Sequence, residues 1–380
     1  MIVLLFLVFL IPFLTMRNFS PVSDEISHLP SGYSYLKTGE IKLNPQHPPL
    51  IKMLAALPLL FLDIKFNADD PALAGPQTNE WQFGRNFLSD NGIDRIFFWG
   101  RIPMILLSVL LGWYIFRWGR ELFGYSAGVA ALFIYTLMPN IIAHSQLVTT
   151  DMGLTVFSFI SIYYLWKFNS TGNRKNAIFS GLNLGLALGS KFSAVFLLPV
   201  FPVLLAVYFS KKPGAVLYKF NSFLKIILLI FGLAFLVIWG LYFFSSDPAF
   251  YWNGLSSVYA DHNPDFQYYL NDNFSSIGWW YYFIFAFIIK TPISFLATLL
   301  AALVFFRKNS IGLLNYLFLL FPAALFLFIA SWRAHNIGVR YILVIYPFLI
   351  LFVGGWITKQ FRISNFEFRI SSIKIKTGMV

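Results

Sequence analysis

Long apolar runs alternate with short polar interruptions along almost the whole chain. Crossing the roughly 30 Å hydrocarbon core of a bilayer takes about 20 helical residues. Ten runs are candidate spans by that measure, at 1–16, 96–116, 126–143, 152–166, 178–188, 192–209, 226–244, 279–306, 311–331 and 341–356. The fifth and sixth read equally as one helix broken at Gly189-Ser190-Lys191, and Pro292, which removes a backbone donor, predicts a kink in the eighth. The first run covers only about 24 Å at 1.5 Å per residue, so the true start is expected upstream of Met1. It has no basic n-region and no small-residue cleavage site before Arg17, and reads as a retained helix. The pattern predicts an all-α integral membrane protein: a polytopic unit over 1–356 with about ten transmembrane helices, a long outer loop at 17–95, and a basic inner tail at 357–380.

Composition sharpens this picture. The chain is 58% hydrophobic and 12% charged, against about a quarter charged in soluble domains. A formal charge of +12 in a soluble chain would suggest nucleic acid; here it resolves by location. With Met1 inside, inner segments hold 16 Lys and Arg, and the short outer segments hold three, Lys191, Arg333 and Arg340. That asymmetry follows the positive-inside rule and implies no nucleic-acid partner. Fourteen of the 16 acids and all five histidines then fall outside, so reactive side chains collect on the outer face. The absence of cysteine removes disulfides, thiolate metal sites and thiol nucleophiles.

Within the long loop, Ile26, Leu29, Tyr33 and Leu36 recur at helical spacing, with Pro30 arguing for a kink or a late start, and 50–62 is apolar but short. Both stretches predict amphipathic helices lying along the outer membrane surface, separated by the stiff turn Asn44-Pro45-Gln46-His47-Pro48-Pro49. Asp24-Glu25 stands where acids cap a helix. Adjacent residues point in different directions, so one carboxylate as base and one as structural partner is the expected division. Asp151, at a span edge, reads as a functional acid, as an N-cap, or as both. His47 and Lys52 flank the Pro-Pro turn, while Arg101, Lys191, Lys290, Arg333 and Arg340 sit near the outer leaflet against the orientation bias. Cations retained there suit phosphate, with snorkelling the alternative for each. No zinc-ligand spacing, Walker loop or dinucleotide fingerprint occurs. No cofactor is required; a divalent cation stays open with no ligand motif behind it. Gly181, Gly185 and Gly189 read as close helix packing.

Taken in order, the Asp24-Glu25 pair, His47-Pro-Pro-Leu-Ile-Lys52, Thr149-Thr-Asp151, the 185–193 stretch Gly-Leu-Ala-Leu-Gly-Ser-Lys-Phe-Ser, Trp279-Trp-Tyr-Tyr with Lys290-Thr-Pro, and Asn336-Ile-Gly-Val-Arg340-Tyr341 form a series. Over about 17–356 the chain resembles the GT-C glycosyltransferases of the protein O-mannosyltransferase type and their bacterial relatives that use polyprenyl-phosphate sugars, the aminoarabinose transferase-like enzymes. The resemblance implies a GT-C-like bundle, a lipid-phosphate-linked monosaccharide donor, and inverting transfer of a hexosyl or pentosyl group at the outer or lumenal face. It implies Asp24 as base with Glu25 its motif partner, Asp151 as the second acid, His47 and Lys52 on the turn facing the lipid phosphate, and Arg340 as a phosphate ligand. Lys191 and Arg333 join this phosphate-binding set as outer cations. Many relatives carry a further C-terminal domain or further spans, so this chain is expected to be a minimal or a truncated member.

The chemistry is consistent with the residues. A lipid phosphate leaves readily if cations stabilise its charge, and the acceptor hydroxyl of a protein, lipid or glycan needs a proton acceptor. One base plus cations suffices, unlike the two working carboxylates of a glycosidase. A bacterial or archaeal plasma membrane is the expected location. A transporter or flippase of lipid-linked sugars remains the alternative from another class, with an inactive scaffold the third.

Overall fold

The computed structural model describes residues 1–73, 79–211, 213–260, 267–305, 311–333 and 335–360; the expected basic tail lies almost wholly outside them. Helix α1 (Ile2–Thr15) ends in a 3-10 turn, and an elbow of 105° leads into α2 (Ser23–Thr38). Helix α3 (Leu50–Ala56) runs on into a 3-10 turn, and α4 (Glu80–Asn91), capped by the Asn79 side chain accepting from the Gln82 N–H, precedes the long α5 (Ile93–Phe123). Helices α6 (Tyr125–Thr136) and α7 (Pro139–Ser145) meet at 66°. Then come α8 (Thr150–Thr171), α9 (Arg174–Ser190), α10 (Val200–Ser210), α11 (Val216–Leu241) and α12 (Phe250–Ala260). A small antiparallel hairpin, β1 (Tyr268–Leu270) with β2 (Asn273–Ser275), turns through Asn271 and Asp272, both at positive φ as a tight hairpin turn requires. Helices α13 (Tyr282–Lys290), α14 (Ile293–Val304), α15 (Leu313–Arg333) and α16 (Tyr346–Gln360) follow, with a 3-10 stretch at Val339–Ile345 before the last.

All ten expected spans are helical, but among the described residues five helices are long and apolar enough to cross a membrane, or eight spans if each of three bent pairs counts as one. The difference from ten is α8 and α9, for a physical reason. Helix α8 is buried almost throughout and bonds to its neighbour instead of facing lipid. The Ser161 hydroxyl donates to the Ser180 carbonyl at 2.7 Å, and the Ser180 hydroxyl returns a bond to the Ser161 carbonyl at 2.9 Å. Polar side chains satisfied in pairs are tolerated away from water, and they lower the helix's own hydropathy. Pro292 produces a break with a bend of 117° between α13 and α14.

Helix α2 departs from expectation. Residues 27–35 are buried without interruption, so α2 is wedged between α3 and α4, with Leu29 against Gly100 of α5, and is packed within the protein along most of its length. It also runs straight through Pro30. The carbonyl left without an intrahelical donor by Pro30 is that of Ile26, and α4 closes onto it at Gly84, where a Cβ would stand 2.1 Å from that oxygen. Helix α3 is likewise tucked in, burying Leu50, Ile51, Lys52, Ala55 and Ala56.

The glycine series does what its spacing predicts. A Cβ on Gly181 would meet the Ile230 carbonyl at 2.7 Å, and one on Gly185 the Ala234 carbonyl at 2.8 Å, so α9 and α11 touch backbone to backbone; Gly189 faces the tip of Leu241. Gly185→Ala is expected to cost about 1–3 kcal/mol through overpacking, and Gly189→Ala less than half of that, because a leucine tip yields where a carbonyl does not. Melting of the detergent-solubilised variants checks this, and equal losses would contradict it.

Candidate functional site

The elbow between α1 and α2 is held by charge. Glu25, in the first turn of α2, is fully buried, and its carboxylate accepts from the Val22 N–H at 3.1 Å, the Val148 N–H at 3.0 Å, Arg101 Nε at 2.9 Å and Arg101 Nη2 at 2.6 Å. Arg101, on α5, spends its remaining donors on the carbonyls of Met16 at 2.6 Å, Phe19 at 3.0 Å and Ser20 at 3.5 Å. Every lone pair of one group and every N–H of the other is matched, leaving neither free for a ligand. Arg101, an outer cation that suits phosphate by sequence, is therefore a structural brace, and Glu25 is a cap and a brace.

The preceding residue points elsewhere. Asp24 Oδ2 accepts from Arg340 Nη1 at 2.5 Å, both side chains about a quarter exposed. Asp151, in the first turn of α8 and buried, pairs with Lys191 Nζ at 2.5 Å. Lys191 is aimed there because the chain leaves α9 in extended conformation at that residue, φ −153° and ψ 138°. Arg340 lies within electrostatic reach of Asp151 as well as Asp24. The Tyr341 ring stands 4.1 Å from Lys191 Nζ and 6.0 Å from the Arg340 guanidinium carbon, joining the two pairs. Asn336, in the same segment, accepts from the Trp279 N–H at 2.6 Å, and the Tyr346 hydroxyl bonds Thr291 at 2.8 Å and Asn140 at 2.9 Å. These bonds tie the Arg340 segment to the break before Pro292.

The proline turn contributes differently from expectation. Lys52 is enclosed, its Nζ bonded to the Asn44 carbonyl at 2.8 Å, the Asn44 side chain at 3.1 Å, the His47 carbonyl at 2.7 Å and the Tyr35 hydroxyl at 2.9 Å. The Tyr35 hydroxyl in turn donates to the Leu43 carbonyl. Asn44, at φ +49°, and Gln46 both donate to Glu80 on α4, at 2.8 and 2.5 Å. Lys52 thus braces the turn from within and offers no proton to a phosphate. His47, which it positions, stacks edge-on to His28 with ring centroids 4.9 Å apart. Burial first, and then His28, Lys52, Lys191 and Arg340 around it, push the His47 imidazole well below its ordinary value of 6.5.

Three residues given no role from sequence join this group. His28 lies four residues after Asp24 on α2, a spacing that puts both on one helix face. Its Nδ1 sits 3.0 Å from the Val148 carbonyl; a carbonyl only accepts, so the proton is on Nδ1 and the neutral ring turns Nε2 out as an acceptor. His144 of α7 is within reach of Asp151, Arg340 and Lys191, its Nδ1 buried without a partner among the described residues. Tyr341 is the third. The side chain of Arg333 lies outside the described residues, and among those described no three His, Asp or Glu side chains converge to hold a metal ion.

Comparison with known proteins adds two findings. The family described as dolichyl-phosphate-mannose-protein mannosyltransferase matches residues 95–240, a stretch that includes Asp151 and Lys191. The fold is similar to the crystal structures of ArnT from Cupriavidus metallidurans. In the apo state the TM-score is 0.62 at 12% identity over 94% of this chain and 59% of that one. Bound to undecaprenyl phosphate it is 0.61 at 13% identity over 94% and 60%. The chain thus spans about three fifths of the length of those structures. No curated protein matches by sequence. The GT-C resemblance therefore rests on a family match over part of the chain and on a shared fold over nearly all of it.

Two expectations follow from this geometry. Breaking the Glu25–Arg101 pair from one side, as in Arg101→Leu, is expected to cost about 3–5 kcal/mol by stranding a buried charge. The double variant Glu25→Leu, Arg101→Leu is expected to be more stable than the sum of the singles, which melting measurements in a double-mutant cycle detect. His47 gives a pH dependence. Its folded-state value lies below that of the unfolded chain, so below 6.5 the unfolded state takes up the proton first and stability falls as the pH is lowered. The loss is expected to be about 1 kcal/mol per unit below 6.5, and His47→Gln should lessen the fall in melting temperature between pH 7.5 and 5.5, the remainder belonging to His28, which burial also lowers, to about 4.

Proposed function

We propose that this protein is a membrane glycosyltransferase that moves a monosaccharide from a polyprenyl-phosphate donor to an acceptor hydroxyl, with inversion, on the outer face of the membrane. The observation that carries the reading is the coupled set Asp24–Arg340 and Asp151–Lys191: two carboxylates and two cations, balanced in charge, in a fold shared with a protein whose crystal structure holds undecaprenyl phosphate.

The mechanism follows from exchanging partners. The donor's phosphate competes with Asp24 for Arg340 and with Asp151 for Lys191, and guanidinium and ammonium both suit it. As the bond from the anomeric carbon to the phosphate oxygen breaks, the leaving polyprenyl phosphate gains a second negative charge, which these two cations stabilise in a site of low dielectric. Drawing Arg340 toward the phosphate releases the Asp24 carboxylate. Asp24 then accepts the proton of the acceptor hydroxyl as its oxygen attacks the opposite face of the sugar. Asp151 stays beside Lys191 and holds it in register. Glu25, with no lone pair to spare, positions Asp24 and takes no proton. Lys52 acts through the turn that seats His47. The reading assigns the developing charge to Arg340 and Lys191 and routes no step through a metal, so chelators are expected to leave transfer unchanged.

Membranes carrying the protein and a labelled polyprenyl-phosphate sugar test this. Asp24→Asn is expected to lower transfer about 10²–10⁴-fold while leaving donor retention intact, and Arg340→Ala is expected to weaken donor retention and transfer together. Transfer by Asp24→Asn at the wild-type rate would overturn the assignment of the base. Mass spectrometry of the glycans lost on deleting the gene identifies the sugar and the acceptor.

A further inference from the structure

The end of the bundle opposite the acid cluster carries a second site, independent of the proposed reaction. From Asp151 to Phe168 helix α8 rises about 25 Å at 1.5 Å per residue. At Phe168 it approaches the turns that join α8 to α9 and α10 to α11. Between them a cavity of about 730 Å³ opens, with Arg174, Lys219 and Lys225 in its wall and no acidic residue.

Among the described residues no acid balances the charge of this cavity. Lys219 Nζ reaches the Ser210 carbonyl at 3.4 Å, and among the described residues none of the three cations is in an ion pair. Glu121, the described acid of this end, is already taken by Lys167 at 2.9 Å and by the Tyr163 hydroxyl at 3.0 Å. Arg174 and Lys175 also open α9, whose first turn holds no acid, so the positive end of the helix dipole adds to the same excess. Three cations facing one cavity with no described counter-charge repel each other, and an anion entering the cavity relieves that repulsion.

The remainder of the wall identifies the kind of anion. Tyr218 and Ser222 bring hydroxyl groups to the rim, while Phe168, Phe209 and Leu229 form an apolar floor. The lipid-facing side of α11 next to it is strongly apolar. A free phosphate would use the cations and leave the apolar floor uncovered; a phospholipid covers both. Basic pockets between transmembrane helices on the Lys/Arg-rich side are where such headgroups bind. We propose that this cavity binds the phosphodiester headgroup of an anionic phospholipid, with Arg174, Lys219 and Lys225 on the phosphate and an acyl chain along the aromatic floor.

The experiment uses the full chain purified in detergent with phosphatidylglycerol and phosphatidylcholine in equal amounts, and reads the retained lipid by native mass spectrometry. Wild-type protein is expected to retain phosphatidylglycerol in preference. Each cation neutralised is expected to lower that preference about fivefold, so that R174Q/K219Q/K225Q loses it, whereas R174K/K219R/K225R keeps it. Equal retention of both lipids by the wild type, or an unchanged preference in R174Q alone and in the triple neutral variant, would overturn the proposal. Displacement of the lipid by excess inorganic phosphate would overturn it as well, by assigning the cavity to a soluble anion. The wild-type preference and the single variant R174Q decide the matter even where the triple variant does not fold.

Discussion

The buried Glu25–Arg101 pair is the constraint on which the rest of this structure rests. Moving two charges out of water costs several kcal/mol each, and only a complete set of partners offsets that. The chain supplies the set from four places: the end of α1 with its elbow, the start of α2, the middle of α5, and the backbone just before α8. Satisfying the charge therefore fixes the bend of 105° between α1 and α2 and brings Val148, three residues from Asp151, against the residue next to Asp24. The two candidate acids are spaced by a group that does no chemistry itself.

A second regularity is that the four charged residues of the candidate site, and His47 with them, lie at interruptions. Asp24 follows the elbow, His47 sits in the proline turn, Asp151 opens a helix, Lys191 is the extended residue after α9, and Arg340 belongs to the 3-10 stretch before α16. An unbroken transmembrane helix sends its side chains sideways, toward lipid or a neighbouring helix. Where the helix stops, side chains and backbone turn toward the common space at the end of the bundle, where irregular backbone is tolerated because it lines a cavity or is buried in protein. The breaks are paid for by bonds such as those of Tyr346 with Thr291 and Asn140.

How far the site was legible depends on the residue. Asp24, Asp151, Lys191 and Arg340 stand out because a charge beside an apolar run is costly and therefore informative, and the structure brings these four together. Lys52 stands out for the same reason, yet its four oxygen partners show a charge retained to brace a turn. Arg101 likewise looks like a phosphate ligand in sequence and Glu25 like the motif partner of Asp24, and the two prove to be each other's partners. His28 could have been found from its four-residue spacing to Asp24 on a helix. His144 carried no local signal, since a histidine near a span edge is as readily a packing residue. The fold divides in the same way. The helical runs were legible from their period, whereas the burial of α8, with serines paired to α9 inside the bundle, was not.

By itself, the sequence determined which long apolar stretches are helical, which end of the bundle is basic and which carries the acids, because hydropathy and charge act on each segment locally, whatever its neighbours. The tertiary structure alone decided which charge answers which. Asp24 and Arg340 are 316 residues apart, Glu25 and Arg101 76, and Asp151 and Lys191 40. Nothing local distinguishes a cation that will meet a ligand from one that will meet a carboxylate. That distinction comes from which groups share a low-dielectric space, where an unmatched charge is too costly to leave alone.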